Sequence, residues 1–231
     1  GSLLTSDVNI GNQTGVEWTE KIIAELKSMP NVTVKNRSQV FGYYDHNMLV
    51  MSERISDHLP KTQKYLPKQR LWYIRANEVL ISSGSIERPL VFGNNDTPGV
   101  MLSSAAKEYM KVYGVLVGKK PLIFTNNDSG YETAIEFKKN GVNPIILDTR
   151  SNPSSDIITE AKNLNIEIKF SYVVVAAKGY KKVKSADIAK ISDDKKELFN
   201  IENIKCDCIC VSGFWTPSIH LASQSGNKSK F

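Results

Sequence analysis

The first periodic signal along the chain is helical: Trp18, Ile22 and Leu26, with Ile23 beside them, form one apolar stripe at spacings of four. Thr14 and Glu17 stand at capping-box spacing, where each side chain satisfies a backbone N–H left open at a helix start. The helix should stop at Met29, before Pro30 and Asn31. The period then changes to two. Residues 32–35, 39–44, 48–55 and 71–74 set β-branched or aromatic positions against polar ones, which predicts a small antiparallel meander with 59–69 as its longest loop. Residues 79–81 predict a short apolar strand running into Ser82, Ser83, Gly84 and Ser85. Pro89, Asn94, Asn95, Asp96, Pro98 and Gly99 then mark an irregular connection.

From residue 103 the rhythm alternates between the two periods. A helix over 103–113 buries Ala106, Tyr109, Met110 and Tyr113 and ends at Gly114. After it come a strand at 121–125, a helix at 129–140 closed by Gly141, a strand at 144–147 ending at Asp148, a helix at 155–164 and a strand at 166–170. That order is β-α-β-α-β, and crossovers through helices of this length require parallel strands with right-handed connections. Residues 172–177, 181–183, 186–191 and 198–201 predict a second meander. Lys178, Lys181, Lys182 and Lys184 stand at one of its turns, as a solvated edge that discourages strand aggregation. Residues 208–211 read as one more buried strand, ending in Ser212 and Gly213, and the tail from Ser223 is polar. These patterns divide the chain into a split lobe, 1–100 with 177–231, and an inserted Rossmann-like domain, 101–176.

Composition narrows the class. With 41% hydrophobic and 23% charged residues, the 231-residue chain is ordinary for a soluble globular protein. No run approaches the about eighteen apolar residues of a membrane span, and residues 1–15 lack the basic and apolar regions of a signal peptide. A cytoplasmic protein with no membrane contact is expected. The formal charge of +6 reads as diffuse, and nucleic acid is not an expected partner. Cys206, Cys208 and Cys210 lie on one face of a strand without a CxxC pair or a histidine cluster, so neither a disulfide nor a metal site is expected.

Candidate chemistry concentrates at one strand-to-helix turn, Thr125-Asn126-Asn127-Asp128-Ser129-Gly130. A dinucleotide fold wants GxGxxG here, so that backbone N–H groups can approach a pyrophosphate. In that alignment the glycine positions hold Thr125, Asn127 and Gly130, and Asp128 sets a carboxylate where the pyrophosphate would sit. Asp148 has the place of a ribose-binding acid. The turn therefore reads first as a structural relic and second as a working site. Two apolar-Ser-Gly segments, ending at Gly84 and Gly213, offer small residues that let a backbone touch a ligand. His46 beside Asp45 reads as a β-turn, and no nucleophile elbow, P-loop, HExxH or catalytic carboxylate pair is present.

Taken together, several segments resemble the α subunits of heterotetrameric sarcosine oxidases. They are Val40-Phe-Gly-Tyr-Tyr-Asp-His-Asn47, Gln69-Arg-Leu-Trp-Tyr-Ile-Arg-Ala76, Glu87-Arg-Pro-Leu-Val-Phe92, Asn95-Asp96 with Pro98-Gly-Val-Met101, Thr125-Asn-Asn-Asp128 and Val211-Ser-Gly-Phe-Trp-Thr-Pro217, in the family's order. Gly1-Ser-Leu-Leu4 is similar to a family motif that follows the first glycine-rich βαβ unit. The resemblance implies an α/β, glutathione-reductase-like fold with two dinucleotide-binding domains, truncated, in which one βαβαβ Rossmann-like unit is inserted in an incomplete second lobe. It implies an oxidoreductase in which NAD belongs to the α subunit, FAD to the β subunit and FMN lies between them. In such a complex sarcosine is demethylated oxidatively to glycine, formaldehyde and hydrogen peroxide, and this chain would contribute scaffold and part of an NAD site without turnover of its own. Carried over by motif, the backbone at Val40 would meet an adenine, Ser83 and Gly84 the ribose-phosphate part, Gly213 the far end of the nucleotide, and Ser2 the nucleotide as well if it is native. The other readings are a related amino-acid or amine dehydrogenase α subunit, and a non-enzymatic interaction module using its basic residues.

Overall fold

The computed structural model describes residues 2–60, 65–192, 194 and 196–226. The chain forms two compact units, a larger one of Glu87–Thr216 with the N-terminal residues through Asp7, and a smaller one of Val8–Ile86 with the residues from Pro217 onward.

In the smaller unit a two-strand hairpin, β1 (Asn9–Ile10) and β2 (Gln13–Thr14), leads into α1 (Gly15–Ser28). The capping box is formed: the Thr14 N–H donates to Glu17 Oε2 over 2.8 Å and the Glu17 N–H donates to Thr14 Oγ1 over 3.3 Å. Strands β3 (Ser38–Tyr44), β4 (Met48–Arg54) and β5 (Gln69–Arg75) make the first meander, antiparallel throughout. His46 and Asn47, with φ of 57° and 53°, turn β3 into β4, which is the β-turn that the Asp45-His46 pair suggested. A register shift between Val40 and Gly42 leaves Phe41 as the extra residue of a bulge. Strand β6 (Ser85–Glu87) carries the chain across the boundary into the larger unit.

The larger unit is built on a five-stranded sheet. Its members are β7 (Val100–Leu102), β8 (Pro121–Thr125), β9 (Ile145–Asp148), β10 (Glu167–Phe170) and β14 (Cys208–Ser212). The order is β10-β9-β8-β14-β7, and every pairing is parallel, as the βαβαβ pattern requires. Helices α2 (Ser103–Tyr113), α3 (Ser129–Lys139) and α4 (Asp156–Asn163) connect its strands. The second meander, β11 (Tyr172–Lys178), β12 (Ser185–Ile191) and β13 (Leu198–Lys205), is antiparallel. Because successive strand residues point to opposite faces, the sheet has two cores. Ile123, Ile146, Cys208 and Cys210 pack with Ala106, Met110, Tyr131, Phe137 and Ile158 of the helices. Leu122, Phe124, Leu147, Ile209 and Val211 pack on the other side with Phe92, Val174, Ala177 and Ile188. Burial on both faces explains why β8, β9 and β14 read as nearly continuous apolar runs, whereas the edge strand β10 alternates. The chain leaves through β15 (Trp215–Pro217), which pairs with β6, and ends in α5 (His220–Gln224) within the smaller unit.

Three expected strands are not strands. Residues 32–35, 79–81 and 181–183 form no ladder: Leu80 is 94% exposed, and Val183 is buried as a single residue whose N–H donates to Pro98 O. The unit boundary also falls at Glu87 and Thr216 instead of at residues 101 and 176. The physical reason is that Val100–Leu102 and Cys208–Ser212 are hydrogen-bonded members of the five-stranded sheet, and the second meander covers one of its faces. The two apolar-Ser-Gly segments therefore belong to different units, not to one split lobe as expected.

Candidate functional site

Ligands of open parallel sheets lie outside the carboxyl ends of the strands. Here those ends are Thr125 of β8, Asp148 of β9 and Ser212 of β14, all three buried. The turn after β8 closes on itself. Thr125 Oγ1 accepts the Asn127 N–H (3.1 Å) and donates to Asn127 O (2.8 Å). Gly130 is required because a Cβ there would come within 2.7 Å of the Thr125 Cβ. Asn127 Oδ1 accepts the Ser129 N–H at 2.9 Å, and Asn127 Nδ2 donates to Ser212 O at 3.1 Å. The side chain of Asn127 thus takes a helix-start amide that a pyrophosphate would otherwise receive.

The would-be ribose acid is saturated as well. Fully buried, Asp148 accepts from the Tyr131 hydroxyl (2.7 Å), the Arg150 backbone N–H (2.9 Å), Arg150 Nε (3.0 Å) and Arg150 Nη2 (2.8 Å). The same Nη2 stands 2.8 Å from Asp128 Oδ1, so one guanidinium bridges the acid at the ribose position and the acid at the pyrophosphate position. Burial works against the Arg150 charge, but hydrogen bonds to Asp148 and Asp128 outweigh it and raise its pKa above the usual arginine value. Burial, reinforced by the Asp148 carboxylate, holds the Tyr131 phenol well above its ordinary range. The cluster offers no free base and no free hydroxyl acceptor. Beside it a cavity of about 420 Å³ is lined by Thr149, Arg150, Ser151, Asn152, Pro153, Ser171, Ile191 and Ser192.

The residues carried over by resemblance are divided between the units. Val40 lies in β3 opposite Met51, while Ser83 and Gly84 sit in a connecting segment of the smaller unit. Ser83 Oγ donates to Ser218 O, and the Ser218 N–H donates to Gly84 O at 2.8 Å. Gly84 has a φ of 69°, and no heavy atom lies within 4 Å of where its Cβ would be. Gly213 belongs to the larger unit, where its N–H donates to Arg88 O at 2.7 Å and a Cβ would stand 2.8 Å from that same oxygen. Ser2 lies in a single 3₁₀ turn, Ser2–Leu4. Two residues escaped the sequence reading. Arg150 belongs to none of the motifs read in the sequence, and its place two residues after Asp148 was the available signal. Glu87 is 4% exposed, and its Oε2 accepts the Ser104 N–H at 2.8 Å at the start of α2.

The thiols are poor nucleophiles. Burial pushes the Cys206 thiol up to about 12, and a hydrogen bond with Cys208, together with burial, raises that of Cys210 well above its ordinary value. Among the described residues no group of three or more His, Cys, Asp or Glu could hold a metal ion, and no helix is long and apolar enough to cross a membrane.

No protein-family model matches the chain. Sarcosine oxidase subunit alpha of Rhizobium meliloti (strain 1021) is 36% identical over 229 residues, which is 99% of this chain and 22% of that relative. Sarcosine oxidase subunit alpha of Corynebacterium sp. (strain P-1) is 32% identical over 222 residues, covering 95% of this chain and 23% of its own length. The chain thus spans less than a quarter of the length of these curated relatives, and its motif resemblance to sarcosine oxidase α subunits extends over nearly all of this chain. Among solved structures, T. acidophilum thioredoxin reductase matches with a TM-score of 0.71 at 14% identity, over 100% of this chain and 70% of the other. L-proline dehydrogenase from P. horikoshii matches with a TM-score of 0.62 at 20% identity, over 100% of this chain and 38% of the other. The fold is α/β and glutathione-reductase-like, with a parallel Rossmann-like unit.

Proposed function

We propose that this chain is the central dinucleotide-binding-type region of a sarcosine oxidase α subunit and acts there as scaffold, in the cytoplasm, without a reaction centre of its own. The observation that carries the scaffold reading is the saturated carboxyl edge: Asp148 has four donors from its own chain and Arg150 bridges it to Asp128. A dinucleotide entering that crevice would have to displace this cluster and bring its phosphates to Asp128, at an electrostatic penalty. In the intact α subunit NAD is assigned to the smaller unit, where the exposed Gly84 backbone, Ser83 and the backbone at Val40 would line it. Ser2 and Gly213 are weaker candidates, because the Gly213 N–H is already bonded to Arg88. FAD and FMN belong to the full complex, with the FAD-bearing β subunit as principal partner.

Two measurements test this reading. Calorimetric titration of the chain with NAD should give no submicromolar site, and a submicromolar affinity whose amide chemical-shift changes fall on residues 125–130 would overturn the assignment of the crevice as scaffold. Hydrogen peroxide formed from sarcosine and oxygen should be absent with the chain alone and present with the complete α subunit and its partners. Peroxide from the chain at the rate of the complex would refute the absence of a reaction centre, and none from the complex would refute the sarcosine oxidase reading.

A further inference from the structure

The charge that reads as diffuse along the sequence is concentrated in space. Lys119, Lys120, Lys181, Lys182, Lys184 and Lys205 are exposed, and no ion pair involves them among the described residues. Their number equals the chain's whole formal excess of +6. Backbone bonds gather them at one place: the Asp207 N–H donates to Lys120 O (3.1 Å), the Cys206 N–H donates to Lys184 O (3.3 Å), and Ser185 stands opposite Lys205 in the β12–β13 ladder. Lys119 and Lys120 precede β8 and Lys205 closes the strand before β14, so this is the amino-terminal edge of the parallel sheet, at the opposite end from Asp148 and Arg150.

The nearby carboxylates do not neutralise it. Asp207 is spent on the backbone N–H groups of Lys119 (2.8 Å) and Lys120 (2.7 Å), and Asp187 pairs with Lys178 at 2.9 Å and accepts from Asn203. Like charges held together repel one another, and a partner bearing carboxylates relieves that repulsion. Tyr180, 91% exposed beside Lys181, adds an aromatic ring at the tip of the same turn. The patch contains lysines and no arginine, and so lacks the planar forks on which base-edge and phosphate recognition rely. These features favour protein carboxylates over nucleic acid.

We propose that the lysine-bearing amino-terminal edge of the larger unit is a docking surface for an acidic segment of a partner subunit. The proposal rests on the reading that the chain works within a multi-subunit enzyme. Its first test is titration of the chain with poly-L-glutamate, with a short DNA duplex and with phosphatidylserine vesicles, at low salt and at physiological salt. The charge-reversal variant K119E/K120E/K182E/K184E is compared with a control in the smaller unit, K21E/K27E/K68E/R75E, after both have passed a thermal-melt check of folding. Polyglutamate should bind best, weaken with salt, and bind the patch variant at least about tenfold more weakly than the control. Equal losses in the two variants, or tighter binding of DNA or vesicles than of polyglutamate, would overturn the proposal. In the complete α subunit the patch variant should fail to assemble with its partner subunits on size-exclusion chromatography, and unchanged assembly would overturn it as well. Patch-dependent assembly in a complex that makes no peroxide from sarcosine would instead sink the enzymatic reading and leave the docking surface standing.

Discussion

The two units use their apolar residues very differently. In the larger unit the sheet is covered on both faces, and Tyr131, Phe137, Ile146, Leu147 and Ile209 have no measurable exposure. In the smaller unit Val50 and Met51 are buried, while Phe41, Leu71 and Tyr73 of the meander and Ile23, Leu26 and Met29 around α1 remain substantially exposed. Polar groups follow the same division. The larger unit buries a carboxylate and answers it with a guanidinium, whereas the smaller unit keeps its charged pairs, such as Lys35 with Glu53, partly solvated. With the nucleotide site proposed above at Val40, Ser83 and Gly84, the lesson is that fold stability and proposed ligand access fall on different parts of the chain.

That contrast can be broken most directly by truncation. Phe137→Ala in the larger unit should cost about 3–5 kcal/mol, whereas Tyr73→Ala in the smaller one should cost under about 0.5 kcal/mol. Urea unfolding followed by circular dichroism, and by the fluorescence of Trp18 and Trp72 in the smaller unit and Trp215 in the larger, measures both. Equal losses would erase the distinction between the units. Next in size is Arg150→Ala, which strands Asp148 and should cost about 3 kcal/mol, while the paired replacement Asp148→Asn with Arg150→Met should cost much less. A double variant as unstable as Arg150→Ala would show that the cluster is not acting as a charge pair.

Glu87→Ala removes the acceptor for the first turn of α2 and should cost about 1–2 kcal/mol, with Glu87→Gln milder because its amide oxygen still accepts. Thermal melts of the two variants compare them. The smallest effect belongs to Asp7, whose carboxyl is held below its ordinary value of 3.8 by hydrogen bonds from Lys111 and Lys139. Since the folded value is the depressed one, its contribution is present above the ordinary value of 3.8 and disappears as pH falls through the lower folded value. Protection factors of the amides in residues 2–7, taken after correction for the intrinsic pH dependence of exchange, should therefore fall on acidification from pH about 5 to pH about 2 in the native chain more than in Asp7→Asn. The same loss of protection in both would remove Asp7 as the anchor of that segment.

Much of the larger unit was legible because its signals were redundant. The runs of β8 and β14 are apolar up to their last residue, Gly114 and Gly141 stop the helices, and the connections are too long for hairpins. Segments resting on one signal failed. Residues 79–81 are apolar enough for a buried strand, yet Leu80 faces solvent, while β6 and β15 are three residues each and depend on a partner far away in sequence. At the candidate site, Gly130 and Asp148 followed from fold rules. The role of Arg150 did not, since only the folded turn brings its Nη2 to Asp128. Glu87 was equally hidden, because a carboxylate between an isoleucine and an arginine gives no hint that it will be buried against a helix start.

The meeting of Arg88 with Gly213 and Phe214 has a genetic corollary. The Arg88 N–H donates to Phe214 O at 2.8 Å and the Gly213 N–H donates to Arg88 O at 2.7 Å, so the long excursion between them starts and finishes at adjacent points. Such a segment behaves as a cassette. Deleting codons 89–212 leaves a gap that a two-residue Asn-Gly hairpin turn can close, and the reciprocal product, a circle joined there and reopened at any exposed loop, keeps all five parallel strands in register. At the level of the gene, moving that segment requires only two junctions to be rewritten.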